Sequence, residues 1–178
     1  MADTLEPAEM RTYFAFTEAA GLLQYAVQQQ LRTDGDLSYV QFEILAKLVD
    51  AGRSLTMTEL ADGVVYSRSG LTHQAGLLEK SGLIARHSDP SDLRAIQVEI
   101  TTKGRALVDK VLPGHIQVVR ELLFEPLSTR DVRTLGDIMT RALEHMHTRP
   151  PRSAESRRRR APERSAPRSL STKTPPAQ

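Results

Sequence analysis

The chain has 178 residues, 39% of them hydrophobic, so it is long enough to bury one ordinary core but too short for several large domains. It contains no cysteine, which excludes disulfides, thiolate metal sites and cysteine redox sensing. The sequence has neither a basic segment leading into an apolar run nor about eighteen consecutive apolar residues, so we expect no signal peptide, no membrane span and a cytoplasmic location.

Charge is divided unevenly along the chain. Residues 149–178 carry nine Lys and Arg against two Asp and Glu, a net charge of +7, which leaves −5 for residues 1–148. The basic segment also contains six prolines and few bulky apolar residues. We therefore predict one domain over residues 1–148 and a disordered Pro/Arg-rich tail over residues 149–178. The tail either adds nonspecific contacts to phosphates or serves as a solubilising extension.

Two helices are predicted at the start of the chain. A broad apolar face without an internal proline predicts a long helix over residues 8–31. Ser38 then precedes Gln41 by three residues, the spacing of a capping box, and apolar residues recur at helical spacing until Gly52. This pattern predicts a second helix that ends at Gly52.

A pair of shorter helices follows. Thr56 and Glu59 repeat the capping-box spacing and predict a short third helix. Either Ser67 or Ser69 is expected to cap a fourth helix, which Gly82 ends. The apolar face of this fourth helix consists of Leu71, Ala75 and Leu78.

After Gly82 the hydrophobic period changes from that of a helix to that of a strand. The runs 83–87 and 96–100 are short and alternating, which predicts two strands. A polar tip joins them and contains Asp89, Pro90, Ser91 and Asp92. The segment is therefore predicted to be a β-hairpin.

Two more helices are predicted after the hairpin. Thr101 or Thr102 caps a long helix in which Pro113 is expected to produce a kink. Ser128 and Asp131 open the last helix. This helix is the sixth predicted in the chain, and its apolar stripe, called here the α6 stripe, consists of Val132, Leu135, Ile138, Met139, Ala142, Leu143 and Met146.

This order of elements predicts a mainly α fold with a small β-hairpin wing. A pair of helices followed by a two-stranded wing, over about residues 37–104, is typical of a winged helix-turn-helix that reads double-stranded DNA. Helices over about residues 8–31 and 102–147 flank it. Their apolar faces exceed what the winged unit covers, which predicts an obligate-type homodimer joined through the terminal helices. The alternative is that the α6 stripe packs within one subunit.

Five short motifs carry a resemblance to a known family. They are T-E-L-A at 58–61, S-R-S-G-L-T at 67–72, L-L-E-K-S-G-L-I at 77–84, D-L-R at 92–94 and V-x-I-T-x-x-G at 98–104. Their order and spacing, over about residues 10–147, resemble the MarR (multiple antibiotic resistance regulator) family of bacterial transcription factors. The resemblance implies a homodimer of interlocked terminal helices, and a small aromatic or anionic effector bound between those helices and the winged unit.

Candidate DNA contacts fall on the recognition helix, the wing and their surroundings. Short hydroxyl and amide side chains at a helix N-terminus reach phosphates and base edges, although a solvated helix surface has the same composition. In the wing, the resemblance implies that Asp92 holds Arg94 in the minor groove, while Leu93 replaces a second arginine. Phosphate contacts are predicted for Arg86 and Lys103. The recognition-helix candidates are Ser67, Arg68, Ser69, Thr72, His73 and Gln74.

These features predict a sequence-specific DNA-binding transcriptional regulator, a ligand-responsive repressor that binds a palindromic operator. The alternative is a winged-helix adaptor that binds protein partners. The sequence contains no nucleophile elbow, P-loop, dinucleotide fingerprint or HExxH motif, so we expect no enzyme and no cofactor. His145 and His147 are too few to predict a zinc site.

Overall fold

The computed structural model describes residues 4–64, 68–88 and 95–147. Ser67, Asp92 and Arg94, together with the predicted tail, lie outside the described residues. In chain order the helices and strands are α1 (Pro7–Gly35), α2 (Tyr39–Ala51), β1 (Leu55–Thr56), α3 (Met57–Gly63), α4 (Arg68–Lys80), β2 (Ile84–Ser88), β3 (Ile96–Ile100), α5 (Thr102–Val119), a π-helical turn (Arg120–Phe124) and α6 (Thr129–His147).

Reciprocal capping boxes begin α2, α3 and α6, where the sequence predicts helix starts. The Gln41 backbone N–H donates to Ser38 Oγ over 3.2 Å, and the Ser38 N–H donates to Gln41 Oε1 over 2.9 Å. Each box satisfies two backbone donors that the first turn of a helix leaves without a partner. The same pattern is formed by Thr56 with Glu59 and by Ser128 with Asp131.

The sheet has three strands among the described residues, one more than the sequence predicts. The strand β3 lies in the centre, in the order β1–β3–β2, and both pairings are antiparallel. Leu55 of β1 lies opposite Val98 of β3, and both side chains are buried. Ile84 of β2 is buried on the same side, so one face of the small sheet contributes to the core.

The hydrophobic core joins the winged unit to the adjoining parts of α1 and α5. Leu31 of α1 and Val111 of α5 are fully buried in it. The two helices approach closely at Gly35, where an added Cβ would lie 2.6 Å from Val111 Cγ1. Helix α5 continues through Pro113 to Val119, and the kink at Pro113 stays a prediction.

The terminal helices leave their apolar faces outside this core. Every residue from 4 to 22 is exposed, including Phe14 at 58%. No residue of α6 is buried, and Leu143 and Met146 of the α6 stripe are 54% and 63% exposed. Within the single chain, therefore, packing against the core does not cover the α6 stripe.

Candidate nucleic-acid interface

The helix α4 has one apolar and one polar side, as a recognition helix requires. Leu71, Ala75 and Leu78 are buried against the core, which confirms the predicted apolar face. Ser69, Thr72 and His73 reach the surface on the first two turns. Burial of the first face fixes the rotation of the helix about its axis, and this rotation determines that the second face is presented to solvent.

The remaining recognition-helix candidates differ in position. Gln74 is half-buried, and its Oε1 is enclosed without a hydrogen-bond partner among the described residues. Arg68 is the first residue of α4, and Ser67 lies outside the described residues. Ser69 lies inside the helix, so it is not the N-cap that the sequence offered as an alternative to Ser67.

Arg86 was predicted to contact phosphate, but in the structure it binds a carboxylate of the same chain. Its Nε donates to Glu79 Oε2 over 2.8 Å, and its Nη2 donates to the same oxygen. These charged hydrogen bonds lower the pKa of Glu79. Glu79 was not among the sequence candidates, and the only signal was an acidic residue seven positions before a basic one, across the turn at Gly82.

Lys103 likewise has a partner within the chain. Its Nζ donates to the Ser81 carbonyl over 2.8 Å, just beyond the end of α4. Thr101, the N-cap of α5, donates from Oγ1 to the Gly82 carbonyl over 2.8 Å and accepts the Gly104 N–H over 3.0 Å. The start of α5 is therefore fastened to the end of the recognition helix.

Arg53 is an additional cation beside the helix-turn-helix that the sequence candidates did not include. Its Nη2 lies 2.8 Å from Glu59 Oε1, and its Nη1 donates to the Ser54 carbonyl over 2.8 Å. Hydrogen bonds from Arg53 and Thr56 lower the pKa of Glu59 to about 2. The carboxylate that caps α3 is therefore partly neutralised by a neighbouring guanidinium.

A cleft of about 300 Å³ lies between α2 and α5. The rings of Phe42 and His115 have centroids 4.8 Å apart and are tilted by 43°. His115 Nδ1 is enclosed and has no hydrogen-bond partner in the described part of the chain. The polar residues that line the cleft are Tyr39, Glu43, Lys47, Asp50 and His115.

Burial shifts the pKa values of three groups in this cleft. Desolvation lowers the pKa of His115, because a low-dielectric environment disfavours the imidazolium. Desolvation raises the pKa of Glu43, although Lys47 acts in the opposite direction. Desolvation, followed by the charge of Glu43, raises the pKa of Tyr39. The cleft therefore favours the neutral forms of Tyr39, Glu43 and His115.

Within the ranges that the structure describes, no helix is long and apolar enough to span a bilayer.

Comparison with known proteins identifies relatives of this chain. The MarR family model matches residues 37–96. The structure of Sco3205, a MarR family transcriptional regulator from Streptomyces coelicolor solved in complex with DNA, is 33% identical, with a TM-score of 0.76 and coverage of 82% of this chain and 91% of that one. AbsC from the same organism is 26% identical over 83% of this chain and 100% of its own, also with a TM-score of 0.76.

A curated relative gives a similar result. The HTH-type transcriptional repressor YetL of Bacillus subtilis is 34% identical over 109 residues, which are 59% of this chain and 65% of YetL. The match therefore spans just under two thirds of that relative's length. These relatives are named as transcriptional regulators, and the three-stranded sheet with its helices is the winged helix-turn-helix that the sequence predicts. The chain belongs to the MarR family.

Proposed function

We propose that this protein is a sequence-specific DNA-binding transcriptional regulator that binds a palindromic operator as a homodimer. The observation that carries the proposal is the orientation of α4, which buries Leu71, Ala75 and Leu78 and presents Ser69, Thr72 and His73 to solvent. A homologue of the same fold, Sco3205, was solved in complex with DNA. Because YetL is named a repressor, we propose repression, which would take place in the cytoplasm.

The polar side of α4 has the chemistry needed to read a major groove. Hydroxyl groups and backbone N–H groups in the first helical turn bind phosphates, which positions the helix. His73 is placed to donate to a guanine edge or to a phosphate, and the amide of Gln74 is suited to adenine. Arg94 is our proposed contact in the minor groove, and Asp92 is proposed to hold it there. Arg86 and Lys103 are secondary candidates, because each is hydrogen-bonded within the chain.

A second copy of the chain is the proposed occupant of the exposed terminal helices. Residues 4–22 are all exposed and α6 buries no residue, although both segments carry large apolar side chains. Burying these faces in a two-fold symmetric interface stabilises both subunits. It also places two copies of α4 on one face of a duplex, where recognition of successive half-sites requires a separation of roughly 34–36 Å.

The cleft between α2 and α5 is our proposed effector site. The Phe42 and His115 rings provide an apolar wall for a small aromatic ligand. His115 Nδ1 can accept a hydrogen bond from a ligand hydroxyl, and Lys47 can pair with a ligand anion. A ligand regulates DNA binding only if its affinity differs between the two conformations of the dimer.

Selection of bound sequences from a random-sequence duplex library tests the function directly. We expect the full chain to enrich a palindrome, to bind it with two subunits per duplex, and to prefer it to a scrambled duplex by at least about 1,000-fold. Equal binding of every duplex, with no enriched sequence, would refute the proposal and favour the protein adaptor.

Single substitutions then locate the reading surface. Thr72→Ala and His73→Ala should each weaken operator binding by about fivefold or more, since one good base contact contributes about 1–3 kcal/mol. Thr33→Ala is the matched control, because Thr33 is also an exposed helical threonine but lies on α1. Operator affinity should be unchanged in that variant.

A further inference from the structure

We infer that Glu79 and Arg86 form a positioning pair that fixes the recognition helix to the base of the wing, so that both parts engage DNA as one rigid unit. The inference rests on the proposed function. It replaces the secondary role of Arg86 as a phosphate contact by a structural role, in which Arg86 holds α4 against β2. Both residues are therefore positioning residues, which act on DNA through α4 and through the wing.

The strand register shows why Arg86 points toward α4. Arg86 of β2 lies directly opposite Val98 of β3, and residues directly opposite in an antiparallel pair project from the same face. Val98 is fully buried, so this is the face that covers the core. Ile84, two residues before Arg86, is buried on the same face. The neighbours of Arg86, Ala85 and His87, are exposed on the other face.

The ion pair therefore connects two elements that differ in the part of DNA they are expected to read. Glu79 lies in the last turn of α4, whereas Arg86 lies in the strand that leads to the wing. The side chains of Arg86 and Glu79 are 28% and 36% exposed, and both Nε and Nη2 of Arg86 donate to the same carboxylate oxygen. An ion pair that uses two donors and is partly sheltered from water restricts orientation more than a single exposed contact does.

The end of α4 is also held by a second set of bonds. Lys103 donates to the Ser81 carbonyl, and Thr101 donates from its backbone N–H to the Leu83 carbonyl over 3.1 Å. These bonds fasten the turn after α4 to α5, and the N–H groups of Gly82 and Leu83 donate to carbonyls in the last turn of α4. Beyond this turn, side-chain contacts hold α4 against β2. The Glu79–Arg86 pair provides such a contact, at the point where the chain passes from the recognition helix into the wing.

Two possible roles of Arg86 predict different results for neutralisation of Glu79. If Arg86 were a phosphate ligand, Glu79→Gln would release its guanidinium for DNA, and operator binding would become tighter with a steeper salt dependence. If the pair positions α4, Glu79→Gln loosens the helix and lowers the preference for the operator over a scrambled duplex. Removal of one negative charge raises affinity for both duplexes alike, so the ratio of the two affinities is the informative quantity.

The experiment measures the affinity of the full chain for its selected operator and for a scrambled duplex at several salt concentrations. The variants are Glu79→Gln, Arg86→Gln and the exchanged pair Glu79→Arg with Arg86→Glu. Glu99→Gln is the matched control, because it removes the same charge from an exposed position on β3. The melting temperature of each variant is measured alongside to separate stability from recognition.

We expect both single variants to lower the ratio of operator to scrambled affinity by about tenfold, and the exchanged pair to recover most of it. Glu99→Gln should leave the ratio within about twofold. An unchanged ratio in Glu79→Gln overturns the inference, even if the melting temperature falls. The inference is also overturned if Arg86→Gln alone lowers the slope of log affinity against log salt concentration by about 0.9. A wild-type ratio near one refutes the proposed function before any variant is compared.

Discussion

Gly104 lies in the first turn of α5, against the segment that leads from α4 into β2. A Cβ at this position would lie 2.1 Å from the Leu83 carbonyl oxygen and 2.9 Å from Ile100 Cγ1. The nearer atom belongs to the backbone and accepts hydrogen bonds from Thr101, so it cannot move without breaking them. The glycine in the V-x-I-T-x-x-G motif thus permits the close approach of α5 to the end of the recognition helix.

Gly104→Ala should consequently destabilise the fold by about 1–3 kcal/mol, because the methyl group displaces backbone in a packed region. Gly76→Ala is the matched control, since a Cβ there would meet no described atom within 4 Å. That substitution should stabilise α4 by about 0.5–1 kcal/mol through helix propensity alone. Urea unfolding followed by circular dichroism measures both changes, and equal stabilities for the two variants would contradict the steric explanation.

His115 makes stability depend on pH because burial lowers its pKa below the ordinary value of 6.5. When pH falls below 6.5, the unfolded chain binds a proton at this residue more readily than the folded chain does. The contribution of neutral His115 to the free energy of unfolding is therefore fully present above pH 6.5 and is lost as pH falls through the folded-state pKa. Glu43, whose pKa is raised, makes stability change with pH in the opposite direction. This effect of Glu43 is common to two proteins that differ only at His115, so it cancels in their comparison.

Unfolding free energies of wild type and His115→Gln should therefore differ in their slope between about pH 5 and pH 7, with the steeper loss toward low pH in the wild type. His87→Gln replaces an exposed histidine of β2 and serves as the control. If both substitutions leave the wild-type slope intact, His115 is not desolvated in solution.

At the scale of single elements, the helix starts were predictable because a capping box is a local structure. Its two hydrogen bonds join residues three apart, so Ser38 with Gln41 and Thr56 with Glu59 are visible in the sequence. The strand β1 was not visible, since a two-residue strand has no hydrophobic period and its partner is Val98, far along the chain. The pairing of Arg86 with Glu79 was not visible for the same reason, because it is set by the packing of β2 on α4.

The cap of α3 provides a test at this scale. Thr56→Ala removes the Oγ1 that accepts the Glu59 N–H over 3.1 Å and that donates to Glu59 Oε2 over 2.9 Å. Loss of an N-cap side chain destabilises a helix by about 0.5–2 kcal/mol. Thr56→Ser keeps the hydroxyl and should retain most of the stability. Thermal and urea unfolding of the two variants compare them, and equal losses would show that the methyl group, not the cap, is responsible.

At the scale of the whole molecule, the sequence predicted the order of elements and the winged unit, and the comparisons confirmed the family. The sequence could not identify the partner of the terminal helices, because an apolar stripe indicates that a helix packs against something without indicating what. None of the residues Thr129–His147 is buried, so no other described part of the chain covers α6. The proposed second copy accounts for both exposed ends at once.

Leu143→Glu tests this assembly, because it places a carboxylate in the C-terminal part of the α6 stripe. Burial of an unpaired charge is strongly unfavourable, so the dimer dissociation constant should rise by at least about 100-fold. Arg141→Gln changes the net charge by the same amount, and helical spacing places it on the side of α6 opposite the stripe, so it should remain dimeric. Sedimentation equilibrium from about one to 100 micromolar measures the association.

The same variant should lose most of its operator affinity while keeping its helical circular dichroism spectrum. A single subunit binds one half-site and lacks the second winged unit that the dimer provides. If the wild-type chain stays monomeric across this concentration range, the proposed two-fold arrangement of two α4 helices is wrong. A Leu143→Glu chain that stays dimeric would instead place the interface away from the α6 stripe.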